Sequence, residues 1–271
     1  MESLRNVTEF SWVGSQQDYV DQISIQMVNQ VAVGRFGGNS SAGQYKNEDG
    51  CLVWLDNQAN WEFVVLLDAH NSAESAELVI ELLNKNKSRI QNLLTKSYEQ
   101  TIIQIESLIV SLFKDEEFLL NCSKVQGETA CLIILRKDKY LWWFSIGDCI
   151  SHLFHPELAR LGQYQLNQRQ FFEWVGQVNT FAQPIPCYST GRRELRKGRN
   201  KILLTTDGLI ECPNELFSSP SMIYETMDSS KLNEGIVKLL ETIKNNNVRD
   251  STTIISWDVI ITDEVTIPSN V

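Results

Sequence analysis

Five aspartates fall at the ends of strand-like runs: Asp49 before 52–55, Asp68 after 63–67, Asp148 after 140–146, Asp207 after 202–206 and Asp250 before 252–261. Taken singly, each reads as an ordinary turn residue, because Asp-Gly and Gly-Asp pairs are turn signals. Taken together, acids delivered to several strand ends can converge at one edge of a sandwich, where like charges repel unless a cation holds them. Oxygen-only donors of this kind suit a hard, hydrated divalent ion, Mg²⁺ or Mn²⁺, rather than zinc. No His-Glu-x-x-His pair, Cys/His cluster or EF-hand loop competes.

The elements that must position these acids are legible as runs. Residues 23–33, 52–55, 63–67, 130–135, 140–146, 202–206 and 252–261 are rich in β-branched and aromatic side chains and predict strands. Asn71, with Glu74 three residues on, predicts a helix start, followed by Ala76, Val79, Ile80 and Leu83 at helical spacing. The same periodicity from Ile90 to Leu112 predicts one long amphipathic helix, and 232–243 predicts another. Many strands with grouped helices and no regular βαβ alternation give an α+β sandwich rather than a doubly wound parallel sheet. No linker-like stretch divides the chain, so 1–271 reads as a single domain, with 1–22 as a loosely attached lead-in.

Composition bounds the function. The 24 Lys+Arg against 34 Asp+Glu give a net charge of −10, which argues against a nucleic-acid partner. The longest apolar run, 130–135, is far too short for a membrane span. The first residues carry an acid and no apolar core of a secretory signal, so a cytoplasmic location is expected. The six cysteines form no Cys-x-x-Cys pair and read as reduced structural thiols.

An ordered set of short motifs then carries a resemblance: Asn47-Glu48-Asp49, Asp68-Ala69-His70, Gly127 to Ala130, Ser145 to Asp148, Thr205 to Gly208 and Asp250 to Thr252. In order and spacing this set resembles the metal-dependent Ser/Thr protein phosphatases, the protein phosphatase 2C family, over most of the chain. The resemblance implies a four-layer αββα sandwich, two antiparallel sheets flanked by helices, with two Mn²⁺ or Mg²⁺ ions at one end. It implies that Asp68 bridges the ions, that Ala69 offers its carbonyl oxygen and that Asp207 and Asp250 complete the metal ligands. Glu48 and Asp49 would hold metal-bound waters, and Asp148 with Glu211 matches the positions of a weaker third metal. Two ions about 3.5–4 Å apart make a strong nucleophile from water at neutral pH. His70, two residues after Asp68, is placed to protonate the leaving serine or threonine oxygen. The implied partners are a phosphoprotein substrate and a cognate Ser/Thr kinase, with neither nucleic acid nor membrane.

Several positions depart from the family pattern. Ala69, Asn71 and Ser72 replace glycines, and Ser251 follows Asp250 where asparagine is usual. Gln44, five residues before Asp49, stands where the family commonly places a phosphate-gripping arginine. Arg35 and Lys46 are the nearest cations in sequence. Arg192 and Arg193 open a basic cluster over 191–201, at the end of a flap-like segment 158–201, and could supply the missing charge. A catalytically weak or inactive module that binds a phosphoprotein is the non-enzymatic alternative. A cysteine phosphatase is the other, because Cys187 and Arg193 match Cys-x5-Arg, although Pro186 precedes the cysteine. Gly34 to Gly38 lacks the Lys-Ser/Thr of a P-loop and reads as a turn.

Overall fold

The computed structural model describes residues 7–229 and 231–267. One sheet runs β1 (Thr8–Val13), β4 (Gly50–Asp56), β5 (Trp61–His70), β6 (Glu128–Lys137), β7 (Tyr140–Ile146) and β10 (Ser189–Glu194), with the two-residue β9 (Val175–Gly176) also on β6. The other runs β2 (Ile23–Val28), β3 (Val31–Phe36), β12 (Thr252–Ile261), β11 (Gly198–Thr205) and β8 (Ile150–Phe154). Every pairing is antiparallel. Helices α1 (Glu74–Lys85), α2 (Lys87–Leu94), α3 (Tyr98–Phe113) and α4 (Glu116–Cys122) pack on the first sheet, and α6 (Pro220–Asp228) and α7 (Leu232–Asn245) on the second. The short α5 (Pro156–Ala159) follows β8. This is the four-layer αββα sandwich that the motif set implied.

Strand alternation explains where the acids go. On β5, Trp61, Phe63, Val65 and Leu67 join the helix-side core with Leu83 and Ile109, whereas Val64 and Leu66 join the core between the sheets with Ile255 and Trp257. Asp68 continues the second set, so period-2 geometry places it on the inter-sheet face at the strand's end. The same parity runs from Cys51 and Val53 back to Asp49, and from Ile255 back to Thr253. Burying each aliphatic side chain is worth about 1.5–3 kcal/mol, and a one-residue slip would reverse every one of them. The register that fills two cores therefore also aims the acids.

Five local expectations are corrected. The run 23–33 is a hairpin: Asn29 takes φ 52° and Val28 pairs with Val31. The expected helix from Ile90 to Leu112 is α2 and α3, because the Ser97 hydroxyl accepts the Gln100 N–H and starts a new helix. At α1 the N-cap place belongs to Ala73 rather than Asn71. Finally, much of the expected lead-in is integral. Residues 1–6 lie outside the described residues, but β1 pairs with β4 along its length and buries Trp12 and Val13. The segment 158–201 is likewise divided, since β10 extends the first sheet along β7, leaving 160–174 and 177–188 as its irregular parts.

Candidate active site

At one end of the sandwich the acids meet. Asp68, opposite Ala130 on β6, is 3% exposed. Its carboxyl is held well above the usual carboxylate range, by lost hydration first and then by the charges of Asp207, Asp49, Asp250 and Asp148. Asp207 opens a short helical turn after β11 and is pushed up to about 8, by burial and then by Asp250, Asp148 and Glu211. Gly208 makes that turn possible: a Cβ there would lie 2.4 Å from the Ser251 carbonyl oxygen and 2.4 Å from Thr252 Oγ1. The exit of β11 can thus lie against the approach to β12, which makes Asp207 and Asp250 neighbours. Asp250 is exposed as a whole residue, yet its carboxyl is also raised, by lost hydration first.

Asp49 is fully buried and is tied by hydroxyls. Ser251 Oγ donates to its Oδ1 at 2.9 Å, and Thr253 Oγ1 donates to its Oδ2 at 2.6 Å, with Thr206 Oγ1 at 3.4 Å. Burial nevertheless pushes its carboxyl up to about 7. Ser251 in place of asparagine therefore has a local use, as a donor to Asp49. Glu48 pairs with Lys46 at 2.5 Å. Asp148 and Glu211 share one cation, Arg169, whose Nη2 lies 3.3 Å from Asp148 Oδ2, 3.3 Å from Asp207 Oδ2 and 2.6 Å from Glu211 Oε1. Nothing in the sequence flagged Arg169, which comes from the first irregular part of the flap-like segment.

Among the converging aspartates, three buried carboxylate oxygens, Asp68 Oδ2, Asp148 Oδ1 and Asp207 Oδ1, have no hydrogen-bond donor. Burying an unpaired anionic oxygen is costly, so this set fits a cation, and its all-oxygen chemistry fits a hard divalent one. Among the described residues, no three Asp, Glu, His or Cys side chains are already drawn in around a single point that could hold a metal ion.

Beside the acids opens a pocket of about 430 Å³ lined by Gln44, Lys46, Glu48, Ala69, His70, Asn71, Arg249 and Asp250. Of the chain's three histidines, only His70 faces it. His152 is fully buried with its pKa pushed down to about 3, and His155 caps α5. The His70 side chain is 43% exposed, with Nδ1 3.6 Å from Asp68 Oδ1 and its ring 5.0 Å from that of Trp174. Gln44 lies in the same pocket and is 7% exposed. Gly38, at φ 81°, lets it approach Arg249: a Cβ there would sit 2.0 Å from the Arg249 carbonyl oxygen and 2.9 Å from Gln44 Cγ.

The other cations considered from sequence lie elsewhere or are engaged. Arg35 is 3% exposed, and its guanidinium is stacked on Tyr19, Trp12 and Phe10 at 4.7, 5.1 and 5.6 Å. Lys46 donates to the Asn71 carbonyl at 2.7 Å besides pairing with Glu48. Arg192 and Arg193 sit on β10 and line a different groove with Tyr98, Ile103 and Tyr140, so the structure does not bring them to the pocket. Arg249 was missed, and among the described residues its guanidinium has no ion pair. The cysteine reading fails on geometry: β10 is extended from Ser189, which alone separates Cys187 from Arg193 by about 13 Å of strand. No backbone cradle can close around that thiol. All six cysteines are free.

No protein-family model and no curated protein matches this sequence. Solved structures do match in fold. RsbX in complex with magnesium is 15% identical, with 88% of this chain and 100% of that one covered and a TM-score of 0.58. The catalytic domain of the serine/threonine protein phosphatase PstP in complex with two manganese ions is 14% identical over 94% of this chain and 98% of that one, with a TM-score of 0.54. A bacterial serine phosphatase is 16% identical over 96% and 100%, again with a TM-score of 0.54. The chain therefore has the fold of the protein phosphatase 2C-type Ser/Thr phosphatases. Among the described residues no helix is long and apolar enough to cross a membrane.

Proposed function

We propose that the chain is a metal-dependent phosphomonoester hydrolase that removes phosphate from phosphoserine or phosphothreonine of a protein, working opposite a cognate Ser/Thr kinase. The observation that carries this reading is the set of unpartnered, buried oxygens of Asp68, Asp148 and Asp207 beside a pocket that contains His70. Asp68, Ala69 through its carbonyl, Asp207 and Asp250 would hold two Mn²⁺ or Mg²⁺ ions, with Glu48 and Asp49 behind them. When bound, the ions would supply an activated water and offset the charge developing on the phosphoryl group. His70 supplies the proton that the leaving oxygen needs. The binding module without turnover rests on Gln44 alone, and the retained acids argue against it. Hydrolysis of an aryl phosphate with and without Mn²⁺ separates the two: turnover only with Mn²⁺ supports the phosphatase, and none under either condition overturns it.

Phosphate recognition falls to Arg249 rather than to the β10 arginines. Gln44 can donate neutral hydrogen bonds only, whereas an unpaired guanidinium on the same pocket wall adds charge. A charge-assisted hydrogen bond is worth about 1.5–3 kcal/mol, and each 1.4 kcal/mol is about tenfold. Arg249→Ala should therefore raise KM for a phosphopeptide by about 10- to 100-fold and leave kcat within a few-fold. Gln44→Arg should do little in the wild type and recover most of the loss in the Arg249→Ala background. Neutralising Arg192 and Arg193 together should leave KM unchanged; an increase there, with none from Arg249→Ala, would return the phosphate contact to β10.

A further inference from the structure

Arg169 is held in the acid cluster from both sides. Two residues before it, Asn167 is 4% exposed and spends its whole amide on the strand-turn that carries Asp148. Its Oδ1 accepts from Ser151 N and Oγ at 2.8 and 2.9 Å, and its Nδ2 donates to the Cys149 carbonyl and to Ser145 Oγ at 2.8 and 2.9 Å. One residue after it, Gln170 N donates to the Gly147 carbonyl at 3.0 Å. Between these anchors the guanidinium lies 4.9 Å from the centre of the Phe171 ring, and its side chain is only 18% exposed. An exposed arginine samples many rotamers, and ordering it costs entropy. Here the backbone on either side is fixed to the element that bears one of its acceptors, so the cation is delivered rather than captured.

Its contacts divide the carboxylates atom by atom. Arg169 takes Oδ2 of Asp148 and Oδ2 of Asp207, and it completes the set with Glu211. The Oδ1 atoms of the same two aspartates are left buried and without a donor, as is Oδ2 of Asp68. Arg169 therefore satisfies one side of the cluster and leaves the other for cations. Asp148 and Glu211 are the pair that the motif resemblance assigned to a third, weaker metal.

We propose that Arg169 is a built-in substitute for that outer ion, so that this chain binds divalent metal only at the inner acids. The proposal rests on the metal-dependent reading above. A guanidinium cannot be deprotonated in a protein and cannot dissociate from the chain, so the outer position stays filled at any metal concentration. A hydrated divalent ion would have to displace a tethered cation and lose part of its own water to enter. Removing the guanidinium leaves three carboxylates facing one another, the arrangement that recruits an ion.

The test is a count of Mn²⁺ bound to the metal-stripped full-length chain, by calorimetry and by the electron paramagnetic resonance signal of free Mn²⁺. The wild type and Arg169→Lys should bind two ions, and Arg169→Ala should gain one, reaching three. Arg169→Gln, which keeps the length of the side chain without its charge, should gain the same ion and covers the case in which the alanine variant fails to fold. Equal counts in the wild type and both neutral variants, or three ions already in the wild type, overturn the proposal. No Mn²⁺ binding to any of the four proteins overturns the metal-dependent reading itself, and the proposal with it.

Discussion

Asp68→Asn should abolish Mn²⁺-dependent turnover while leaving the metal-free protein as stable as the wild type or more so. Asp68 is nearly inaccessible, one of its oxygens has no donor, and four other aspartates raise its carboxyl after burial has done so. Its folded-state pKa lies above the unfolded value, so between the two the folded chain binds more protons than the unfolded one. Stability then falls as pH rises through that window, because the folded state is forced to ionise against its neighbours. Asparagine removes that cost, and near pH 8 the metal-free variant should melt no lower than the wild type. With Mn²⁺ the order reverses, since a ligand that binds only the folded state adds about 2.7 kcal/mol at one hundred times its dissociation constant. The wild type should gain melting temperature with Mn²⁺ and Asp68→Asn should gain little. Loss of several kcal/mol of transition-state stabilisation corresponds to about 10³-fold or more in kcat. Near-wild-type turnover of Asp68→Asn under saturating Mn²⁺ would refute the metal assignment. Asp207→Asn should lose turnover likewise, but it also removes an Arg169 contact, so its metal-free stability is the less clean measure.

The acids were legible because they are few and sit where strands end, and strand ends are visible as changes in apolar pattern. The two sheets were legible in their central strands, which bury both faces and read as continuous apolar runs. The edges were harder. In β1 the inward residues Thr8, Phe10 and Trp12 alternate with Glu9 and Ser11, a period-2 signal that was present but short and polar. The break between α2 and α3 hides because both helices bury the same periodic face against the first sheet, so the apolar stripe passes through Ser97 unbroken. The hairpin at Asn29 hides for the same reason in the second sheet.

The cations were the least legible part of the site, because a charge announces itself in sequence but its partner does not. Arg192 and Arg193 stand out as part of a basic cluster, yet their strand points along β7 into another groove. Arg169 and Arg249 are isolated in sequence and stand in the site. Arg169 reaches it through hydrogen bonds between Asn167 and residues 16 to 22 positions away, which no local pattern encodes. Arg249 reaches it by being one residue before Asp250, opposite the close approach that Gly38 permits. Placement of an acid on a strand end is a local property, whereas placement of a cation on a loop is a tertiary one.

His70→Ala should lower kcat for a phosphoserine peptide by about 10²–10⁴-fold, the usual worth of a positioned general acid. The imidazole closes β5 two residues after Asp68, so strand alternation puts both on the same face, and the ring rests beside Trp174 of the flap-like segment. Its other side is open to the pocket, where a substrate's leaving oxygen must lie if the phosphoryl group meets the acids. A serine alkoxide is a far stronger base than an aryl phenoxide, so only the first needs its proton in the transition state. The variant should therefore keep its rate on an aryl phosphate within a few-fold. Mn²⁺ binding should stay unchanged, which separates proton donation from damage to the acids that His70 adjoins at 3.6 Å. Trp174→Ala should produce a weaker version of the same split, because it loosens the ring without removing the proton. Equal losses on the two substrates, with Mn²⁺ binding intact, would mean that His70 positions the substrate and that the proton comes from elsewhere.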